Sequence, residues 1–362
     1  MWLYSSLFYL FALIPASIDA EIKLIVMDCD GASDDASALT LALQHPNIEV
    51  LAVMTSSSST NSSQAAVNIA RTLRANNVTT KIPIYKGADG PLLRYPINYD
   101  FVRVFFGNDG FGDAPNEYPK VQPGDFTAHE NATAAEGLIE IFRKNKKRNV
   151  TLVVTGSLTN VALALNLEPK FAEWPSRMVI MGGNVHAFSN VLSSSTAESN
   201  FYNDPEAAYI VLKEMKCNIT LVSWESTLYA GENHEINFYT HLNQGTPLAN
   251  FLAMATRKVR EYSASSTNQY FYCDQVAIGV VINEVALITE AQYRRASVEL
   301  YGQKTRGQVT IDWADRSNGK PSNSTPFDDY RPINFIVHYN VTYLDQLMFD
   351  AVNAFDNNVN KN

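Results

Sequence analysis

Ile25-Val-Met-Asp-Cys-Asp-Gly-Ala-Ser-Asp-Asp-Ala-Ser-Ala-Leu39 places four carboxylates within eight residues, directly after an apolar segment. They belong to Asp28, Asp30, Asp34 and Asp35. The apolar segment predicts a buried strand, and the residues from Asp34 onward have the apolar spacing of a helix. A strand, a Gly-containing turn and a helix bring their loop to the carboxyl edge of a sheet, where open α/β folds bind ligands. The stretch therefore predicts an acidic site at that edge.

The four carboxylates repel one another unless a cation lies among them. Hard oxygen ligands suit Mg²⁺ or Ca²⁺, and bidentate carboxylates combined with backbone carbonyls favour Ca²⁺. A simpler interpretation is an exposed acidic first turn of a helix, in which Asp34 and Asp35 complement the helix dipole. That interpretation leaves Asp28 and Asp30, at the end of the strand, without a role. We therefore favour a Ca²⁺ site.

Along the rest of the chain, short apolar segments alternate with helical patterns, which is typical of βαβ units and a mainly parallel sheet. Strands are predicted at Lys23–Met27, Glu49–Met54, Ile82–Tyr85, Val150–Val154, Arg177–Met181 and Asn218–Val222. Helices are predicted near Asp34–Gln44, Ser63–Ala75, Ala132–Lys144, Leu158–Glu168, Asp204–Met215 and Gln275–Ile282. No linker or repeat divides this pattern, so we predict one large α/β domain, residues 21–362, with a Rossmann-like central sheet flanked by helices.

Residues 1–20 have the pattern of a secretory signal peptide: an apolar segment, Pro15 and small residues before Glu21, although a positive N-terminal region is missing. The apolar segment is too short to span a bilayer, so the mature chain is expected to be secreted, with no membrane partner. Seven Asn-x-Ser/Thr sequons fit export and a glycoprotein, namely Asn61, Asn77, Asn131, Asn149, Asn218, Asn323 and Asn340.

Composition excludes two further classes of protein. Three cysteines, one of them inside the acidic stretch, do not predict a disulfide framework, so stability must come from the core that 46% hydrophobic residues can supply. A net charge of −9 makes nucleic acid an improbable partner.

Several other polar segments follow strands or begin helices. Thr155-Gly-Ser-Leu-Thr-Asn160 follows one predicted strand and Met181-Gly-Gly-Asn184 ends the next. In Ala197-Glu-Ser-Asn200, we expect an extended segment that points Glu198 and Asn200 to one side. Asp204 is predicted to be a helix N-cap followed by Pro205. Asp274, before an apolar helix, is either another N-cap or part of the cation site.

Together these segments resemble the nucleoside hydrolase family, the Ca²⁺-dependent enzymes that cleave the N-glycosidic bond of ribonucleosides. The resemblance rests on ordered matches to family motifs: Asp-Cys-Asp-Gly-Ala-Ser-Asp-Asp (28–35), Thr-Gly-Ser-Leu-Thr-Asn (155–160), Met-Gly-Gly-Asn (181–184), Ala-Glu-Ser-Asn (197–200), Asp-Pro-Glu-Ala-Ala (204–208) and Asp274. The residues from Asn190 to Thr196 look most like the purine-specific, inosine–adenosine–guanosine preferring branch.

The resemblance implies a role for each matched residue. The Ca²⁺ ligands would be Asp30, Asp35, Asp274 and the backbone carbonyl of Thr155, and Asp30 would also be the general base. The ribose hydroxyls would be bound by Asp34, Asn190, Glu198 and Asn200, and Met181 would line the sugar pocket. The family also implies a homodimer or homotetramer.

The sequence departs from the family at the places where ribose and the leaving base would be bound. The usual Pro-Gly of the first motif is Gly31-Ala32, and a family Gly-Asn appears as Ser58-Ser59, so Ser59 or Asn61 must replace that asparagine. Two family histidines are replaced, one by Cys273 and one by Phe106.

Without those histidines, stacking of aromatic rings on a purine is the expected way to activate the leaving base, and Phe106, Trp224, Tyr229 and Tyr272 are the candidates. An aromatic residue in such a position is more often simply part of the core. Among the histidines, only His186, beside Asn184, is a candidate acid.

Three alternatives remain open from sequence alone. The chain could be a broad inosine–uridine nucleoside hydrolase, or a secreted nucleoside-binding protein without turnover. Asp28-Cys-Asp-Gly31 also resembles the opening motif of haloacid-dehalogenase-type phosphatases, which use Mg²⁺. That family gives no role to Asp34 and Asp35 together with Glu198 and Asn200.

Overall fold

The computed structural model describes residues 21–78, 82–94, 100–126, 128, 131–191, 195–231, 237–265, 271–314 and 330–359. The predicted signal peptide, residues 1–20, and the sequon at Asn323 lie outside these ranges. In the described ranges, every helix is too short or too polar to cross a membrane.

Nine strands of the described chain form a single sheet with the order β3-β2-β1-β4-β5-β6-β9-β7-β8. Their bounds are β1 Lys23–Cys29, β2 Ile48–Thr55, β3 Ile84–Lys86, β4 Val150–Val154, β5 Arg177–Met181, β6 Asn218–Val222, β7 Ile288–Val298, β8 Val309–Ile311 and β9 Arg331–Tyr339. Neighbours from β3 to β9 pair in parallel, whereas β7 pairs antiparallel with both β9 and β8. The predicted mainly parallel α/β sheet is confirmed.

Helices cover both faces of this sheet. Their bounds are α1 Ser33–Gln44, α2 Ser62–Ala75, α3 Asp100–Phe106, α4 Ala134–Asn145, α5 Thr159–Leu167, α6 Ser199–Asn203, α7 Pro205–Glu214, α8 Trp224–Gly231, α9 Pro247–Ala255, α10 Arg257–Ser265, α11 Asp274–Leu287 and α12 Val341–Val359. Three predicted strands, β4, β5 and β6, have the bounds that the sequence indicated. The strands β7 to β9 and the long helix α12 were not predicted.

The core consists of two apolar layers, one on each face of the sheet. Along β1, Ile25 and Met27 pack into the layer formed with α1, α2, α9, α11 and α12. Leu24 and Val26 point to the opposite layer, formed with α4, α5 and α7. Because both faces of a parallel sheet are buried, such strands are apolar in both alternating positions. This explains the continuous apolar segment before the acidic stretch.

The strand order places the crossover point of the sheet between β1 and β4. From β1 the chain proceeds to β2 and β3 on one side, and later from β4 to β5 and β6 on the other. A crevice opens at such a point, beyond the carboxyl ends of the two strands. Asp30 follows β1 and Thr155 follows β4, so two predicted site residues lie at this crevice.

The helix α11 runs from the crevice, at the carboxyl ends of the strands, to the first residue of β1. It begins at Asp274 near the crevice, and a non-helical residue, Asn283, interrupts it at φ −159° and ψ 92°. Before the interruption, Lys23 Nζ donates hydrogen bonds to the carbonyls of Val281 at 2.9 Å and Ile282 at 2.7 Å. A cation at this end satisfies unpaired carbonyls and complements the helix dipole.

Replacing Lys23 with Met should therefore lower the free energy of unfolding by about 1–2 kcal/mol, because two carbonyls lose a charged donor. Urea unfolding measures the change. Lys144→Met is the matched control, since Lys144 pairs with Glu140 on an exposed helix face and should contribute little. Equal stability of Lys23→Met and wild type would contradict this role of Lys23.

Candidate active site

The turn after β1 is built around one glycine. Gly31 has φ +72°, and a Cβ at this position would lie 2.6 Å from the Cα of Ala65 in α2. Only glycine fits this close approach without displacing α2. The replacement of Pro-Gly by Gly31-Ala32 thus keeps a turn that directs the following carboxylates into the crevice.

Backbone and side-chain donors fix the orientation of Asp30 and Asp35. Asp30 accepts hydrogen bonds from Ala32 N at 3.3 Å, Ser59 N at 3.2 Å and Ser59 Oγ at 2.8 Å. Asp35 accepts from Ala32 N at 3.0 Å and from Thr155 Oγ1 at 2.6 Å. The carboxyl ends of β1, β2 and β4 therefore meet at these two aspartates.

Asp34, Asp35 and Asp274 bring carboxylate oxygens within 4.8 Å of one another. Asp34 is partly exposed, whereas Asp35 and Asp274 are buried. In the part of the chain that the structure describes, no lysine or arginine forms an ion pair with any of the three. Three close carboxylates without a cationic partner fit a hard divalent cation. Asp274 is the first residue of α11 and not its cap.

Burial and mutual repulsion raise the pKa values of this cluster. The pKa of Asp34 rises to about 7, first because its carboxyl group is desolvated and then because Asp30 is near. Desolvation also raises the pKa of Asp35 and of Asp274 well above the ordinary value, and neighbouring aspartates raise both further. A bound cation would reverse this effect because it favours the charged form of each group.

Asp28 lies beside the cluster but faces α5. It is fully buried, and its Oδ1 accepts a hydrogen bond from Asn160 Nδ2 at 2.9 Å while its Oδ2 has no hydrogen-bond partner among the described residues. Desolvation raises its pKa to about 7, an effect that the bond from Asn160 lessens. Because Asp35 in the first turn of α1 is fully buried, the interpretation of the stretch as an exposed acidic helix turn is wrong.

Glu198 caps a helix, and the predicted extended segment at residues 198–200 is wrong. Because α6 begins at Ser199, the carboxylate of Glu198 accepts from Asn200 N at 2.9 Å, Phe201 N at 3.2 Å and Gly183 N at 2.8 Å. Burial raises the pKa of Glu198 to about 7 against the opposing effect of these bonds. The sequence signal is an acidic residue at a helix N-cap, whereas the polar residues at 198 and 200 had suggested the alternation of an extended segment.

Asn200 bonds the backbone at the carboxyl ends of β4 and β5. Its Nδ2 donates to the carbonyls of Thr155 and Met181, each at 3.2 Å, and lies 3.8 Å from Met181 Sδ. The carbonyl of Thr155 thus points into the site, beside the bond from Thr155 Oγ1 to Asp35. Asn190 Oδ1 accepts from Ser199 N at 2.7 Å, and its side chain also bonds Glu198.

The structure distinguishes the two possible replacements for the family Gly-Asn. Ser59 contacts Asp30, whereas Asn61 caps α2 by accepting from Gln64 N at 2.9 Å. Asp204 also behaves as predicted: it caps α7, with Pro205 as the next residue. The bond from Asn160 to Asp28 and the bonds that Glu225 accepts from the residues after β5 were not predicted, because neither residue stands out by spacing or charge pattern.

Trp224, one of the predicted stacking residues, contacts the segment that precedes Asp274. Its ring packs edge-on against Phe271 at 5.6 Å, and Thr227, one turn later, bonds the thiol of Cys273. Both contacts are with the segment that leads directly into Asp274. Phe106 ends α3, and its carbonyl accepts from Gly112 N at 2.9 Å.

The loop after Phe106 adjoins the acidic turn, because Asn68 Nδ2 donates both to Gly31 O at 2.9 Å and to Asp109 O at 2.8 Å.

Tyr272 and Tyr229 pack differently. Tyr272 is fully buried, its ring lies 5.1 Å from Phe238, and its hydroxyl donates to Asp345 at 2.5 Å. The prediction that Tyr272 stacks on a base has to be corrected: in this structure it is a core residue. Tyr229 OH lies 3.3 Å from His186 Nδ1, which places His186 beside α8.

A family model described as inosine-uridine preferring nucleoside hydrolase matches residues 25–335. The chain belongs to this family. It is therefore an enzyme, a ribonucleoside N-ribohydrolase, and the phosphatase alternative is set aside. The match begins in β1 and ends in β9, so it includes every residue of the cation cluster and of the proposed sugar site.

Relatives of this nucleoside hydrolase differ in the substrates that their names give. It is 30% identical to an inosine-uridine preferring nucleoside hydrolase of Crithidia fasciculata over 302 residues, 80% of this chain and 88% of the relative. It is 30% identical to a pyrimidine-specific ribonucleoside hydrolase of Escherichia coli over 307 residues, 84% and 93% of the two chains. A solved inosine-guanosine nucleoside hydrolase is similar with a TM-score of 0.76 and 28% identity, covering 91% of this chain and 99% of that one.

The raised pKa values predict how pH and cations affect stability. Without a cation, folded Asp34 holds its proton to about pH 7, whereas the unfolded chain releases it near pH 4, so this group should lower stability as pH rises between those values. Urea unfolding at pH 5 and 7.5 in a chelator should show this decline, and Ca²⁺ should remove it. Asp34→Asn should flatten the decline. Stability that rises with pH over this window in chelator would contradict the account.

Proposed function

We propose that this nucleoside hydrolase uses Ca²⁺ to hydrolyse the N-glycosidic bond of purine ribonucleosides, releasing free base and ribose. The observation that carries the proposal is the cluster of Asp34, Asp35 and Asp274 within 4.8 Å, which lacks a cationic partner in the described chain. Asp30 adjoins it, and a dication bound there would neutralise the close carboxylates in their charged forms.

The proposed ligands of the ion are Asp30, Asp35, Asp274 and the carbonyl of Thr155. A hard dication in such a site lowers the pKa of a water molecule and binds a sugar diol. Asp30 then acts as general base. Ser59 and Ala32 hold its carboxylate in place through three donated hydrogen bonds, so the group needs no reorientation to accept a proton.

Asp34, Asn190, Glu198 and Asn200 are proposed to bind the ribose hydroxyls, with Met181 beneath the sugar. Glu198 already receives three backbone N–H groups, which fix its oxygens at the edge of the crevice. Hydrogen bonds to sugar hydroxyls strengthen as an oxocarbenium-like transition state develops. These residues would thus contribute to the rate as well as to binding.

The purine preference is proposed from the residues around the leaving base. Cys273 precedes Asp274, and His186 Nδ1 lies 3.3 Å from the hydroxyl of Tyr229 in α8. An aromatic ring such as Trp224 or Phe106 can stack on a purine and favour protonation of its N7. The alternative, a broad inosine–uridine enzyme, is favoured by the name of the 30% identical Crithidia fasciculata relative.

Export and assembly are further proposals. The apolar residues 1–20 support a cleaved signal peptide and secretion, and the sequon asparagines Asn77, Asn131 and Asn149 are exposed, as glycosylation would require. A homodimer or homotetramer is proposed from family resemblance alone.

Asp30→Asn should lower ribose release from inosine by about 10²–10⁴-fold, because the amide cannot accept a proton. A reducing-sugar assay measures the loss. Asp125→Asn, which removes a surface pair with Arg74, is the control and should retain full activity. Near-normal turnover by Asp30→Asn would contradict the assignment. Ca²⁺-loaded wild type that releases ribose from none of inosine, guanosine, adenosine, uridine or cytidine would be a binding protein.

The base preference makes a separate prediction: uridine should be hydrolysed far more slowly than inosine, because a pyrimidine has no N7 to protonate. Trp224→Ala should lower kcat for inosine about tenfold, more than it raises KM. Trp174→Ala is the matched control, since Trp174 packs against Phe171 in the apolar layer on the other face of the sheet. Equal rates on uridine and inosine, lost together in His186→Ala, would show a histidine acid and a broad enzyme.

A further inference from the structure

Glu225 is a fully buried carboxylate with no role in the site described so far. It is the second residue of α8, and its side chain accepts backbone N–H groups from Val185 at 2.8 Å, His186 at 2.8 Å and Phe188 at 3.2 Å. All three donors belong to the β5–α6 loop, residues 182–198, of which 192–194 lie outside the described chain. Three backbone N–H groups at the start of this loop therefore bind a single carboxylate.

Asn184, also fully buried, holds the same loop from the opposite side. Its Nδ2 donates to Phe188 O at 3.1 Å and to Thr196 O at 2.5 Å, while its Oδ1 accepts from Val309 N in β8 at 3.2 Å. One amide thus joins the beginning of the loop, the end of the loop and the neighbouring strand. Three of its hydrogen-bonding positions are occupied, all by backbone groups.

Between these contacts, the backbone at residue 187 adopts an energetically unfavourable conformation. Ala187 has φ +64°, in the left-handed region that residues with a Cβ rarely occupy. Such a residue persists only where its surroundings determine its conformation. The hydrogen bonds of Glu225 and Asn184 with residues on both sides of Ala187 hold it in this conformation.

The loop ends at the proposed sugar contacts. Ser189 Oγ donates to Ala197 O at 2.7 Å, and Asn190 Oδ1 accepts from Ser199 N at 2.7 Å. The side chain of Asn190 also bonds Glu198. The position of Asn190 relative to Glu198 consequently depends on how residues 184–188 are held.

We propose that Glu225 and Asn184 are positioning residues that hold the β5–α6 loop so that Asn190 and Glu198 together bind a ribose hydroxyl. The proposal rests on the proposed function of those two residues as sugar contacts. Glu225 and Asn184 do not touch the substrate themselves. By holding the loop, they determine how strongly the enzyme prefers a ribose over a deoxyribose.

The test compares Glu225→Gln and Asn184→Asp with wild type on inosine and on its 2′-, 3′- and 5′-deoxy analogues. Gln keeps the shape of Glu225 but turns an amide NH₂ toward backbone N–H groups, and Asp replaces the donor of Asn184 with an acceptor that faces two carbonyls. In both variants, kcat/KM on inosine should fall more than tenfold. The kcat/KM on the deoxy analogue that wild type discriminates against most should change less than threefold. Ca²⁺ affinity should stay within twofold, because neither residue contacts the aspartate cluster.

Asn76→Ala is the matched control. Asn76 is another buried asparagine; its Nδ2 donates to Thr40 Oγ1 at 3.0 Å and Thr72 O at 2.9 Å in α1 and α2, away from the loop. This variant should lower the melting temperature and leave the inosine-to-deoxyinosine ratio unchanged. An unchanged ratio in both Glu225→Gln and Asn184→Asp, or an equal loss on both substrates, would overturn the proposal.

The outcome remains separable from that of the proposed function. If wild type hydrolyses no nucleoside, the proposed function fails, and calorimetric binding of ribose and of 2-, 3- and 5-deoxyribose tests the loop directly. Selective loss of ribose binding in the two variants would then support the positioning role. A wild type that binds ribose no more tightly than any of the three deoxyriboses would overturn it.

Discussion

Repulsion among buried carboxylates at the crevice between β1 and β4 is the constraint on which the rest of this structure depends. Asp34, Asp35 and Asp274 come within 4.8 Å of one another although burial and proximity raise their pKa values. A fold tolerates such a cluster only if protons or a cation neutralise it. Gly31, whose turn no other residue fits, and the long helix that begins at Asp274 both serve to keep these charges together.

The acidic side chains of the site differ in the hydrogen bonds that they accept from the protein. Glu198 and Glu225 each accept three backbone N–H groups, which satisfies them where they are buried and makes them fixed points for the loop and helix around them. Among the described residues, Asp35 accepts one backbone N–H and one hydroxyl, and Asp34 accepts one backbone N–H. Asp30 accepts three donors, as the two glutamates do, but one of them is the hydroxyl of Ser59. The oxygens of Asp34 and Asp35 are therefore less occupied by protein donors than those of Asp30, Glu198 and Glu225.

Sequence alone predicted the elements whose signal is local. The apolar segments Val150–Val154, Arg177–Met181 and Asn218–Val222 are buried on both faces, so their bounds matched the observed strands. β7 escaped prediction because it carries polar and charged residues and pairs antiparallel at one edge of the sheet. Glu225 could not be found from sequence, and neither could the bonds of Ser59 to Asp30 and of Asn160 to Asp28, since these contacts join residues far apart in the chain. Tyr272 was misassigned because proximity to Asp274 in sequence does not say which way a ring points.

The most direct test of the account is a crystal structure of the protein with Ca²⁺ and ribose. The account predicts one ion with oxygens of Asp30, Asp35, Asp274 and the Thr155 carbonyl at about 2.3–2.6 Å, and with sugar hydroxyls completing its coordination. Asn190 and Glu198 should contact the same sugar. An ion bound elsewhere, or a crevice whose aspartates share protons at saturating Ca²⁺, would contradict the central claim that the carboxylate cluster is a cation site.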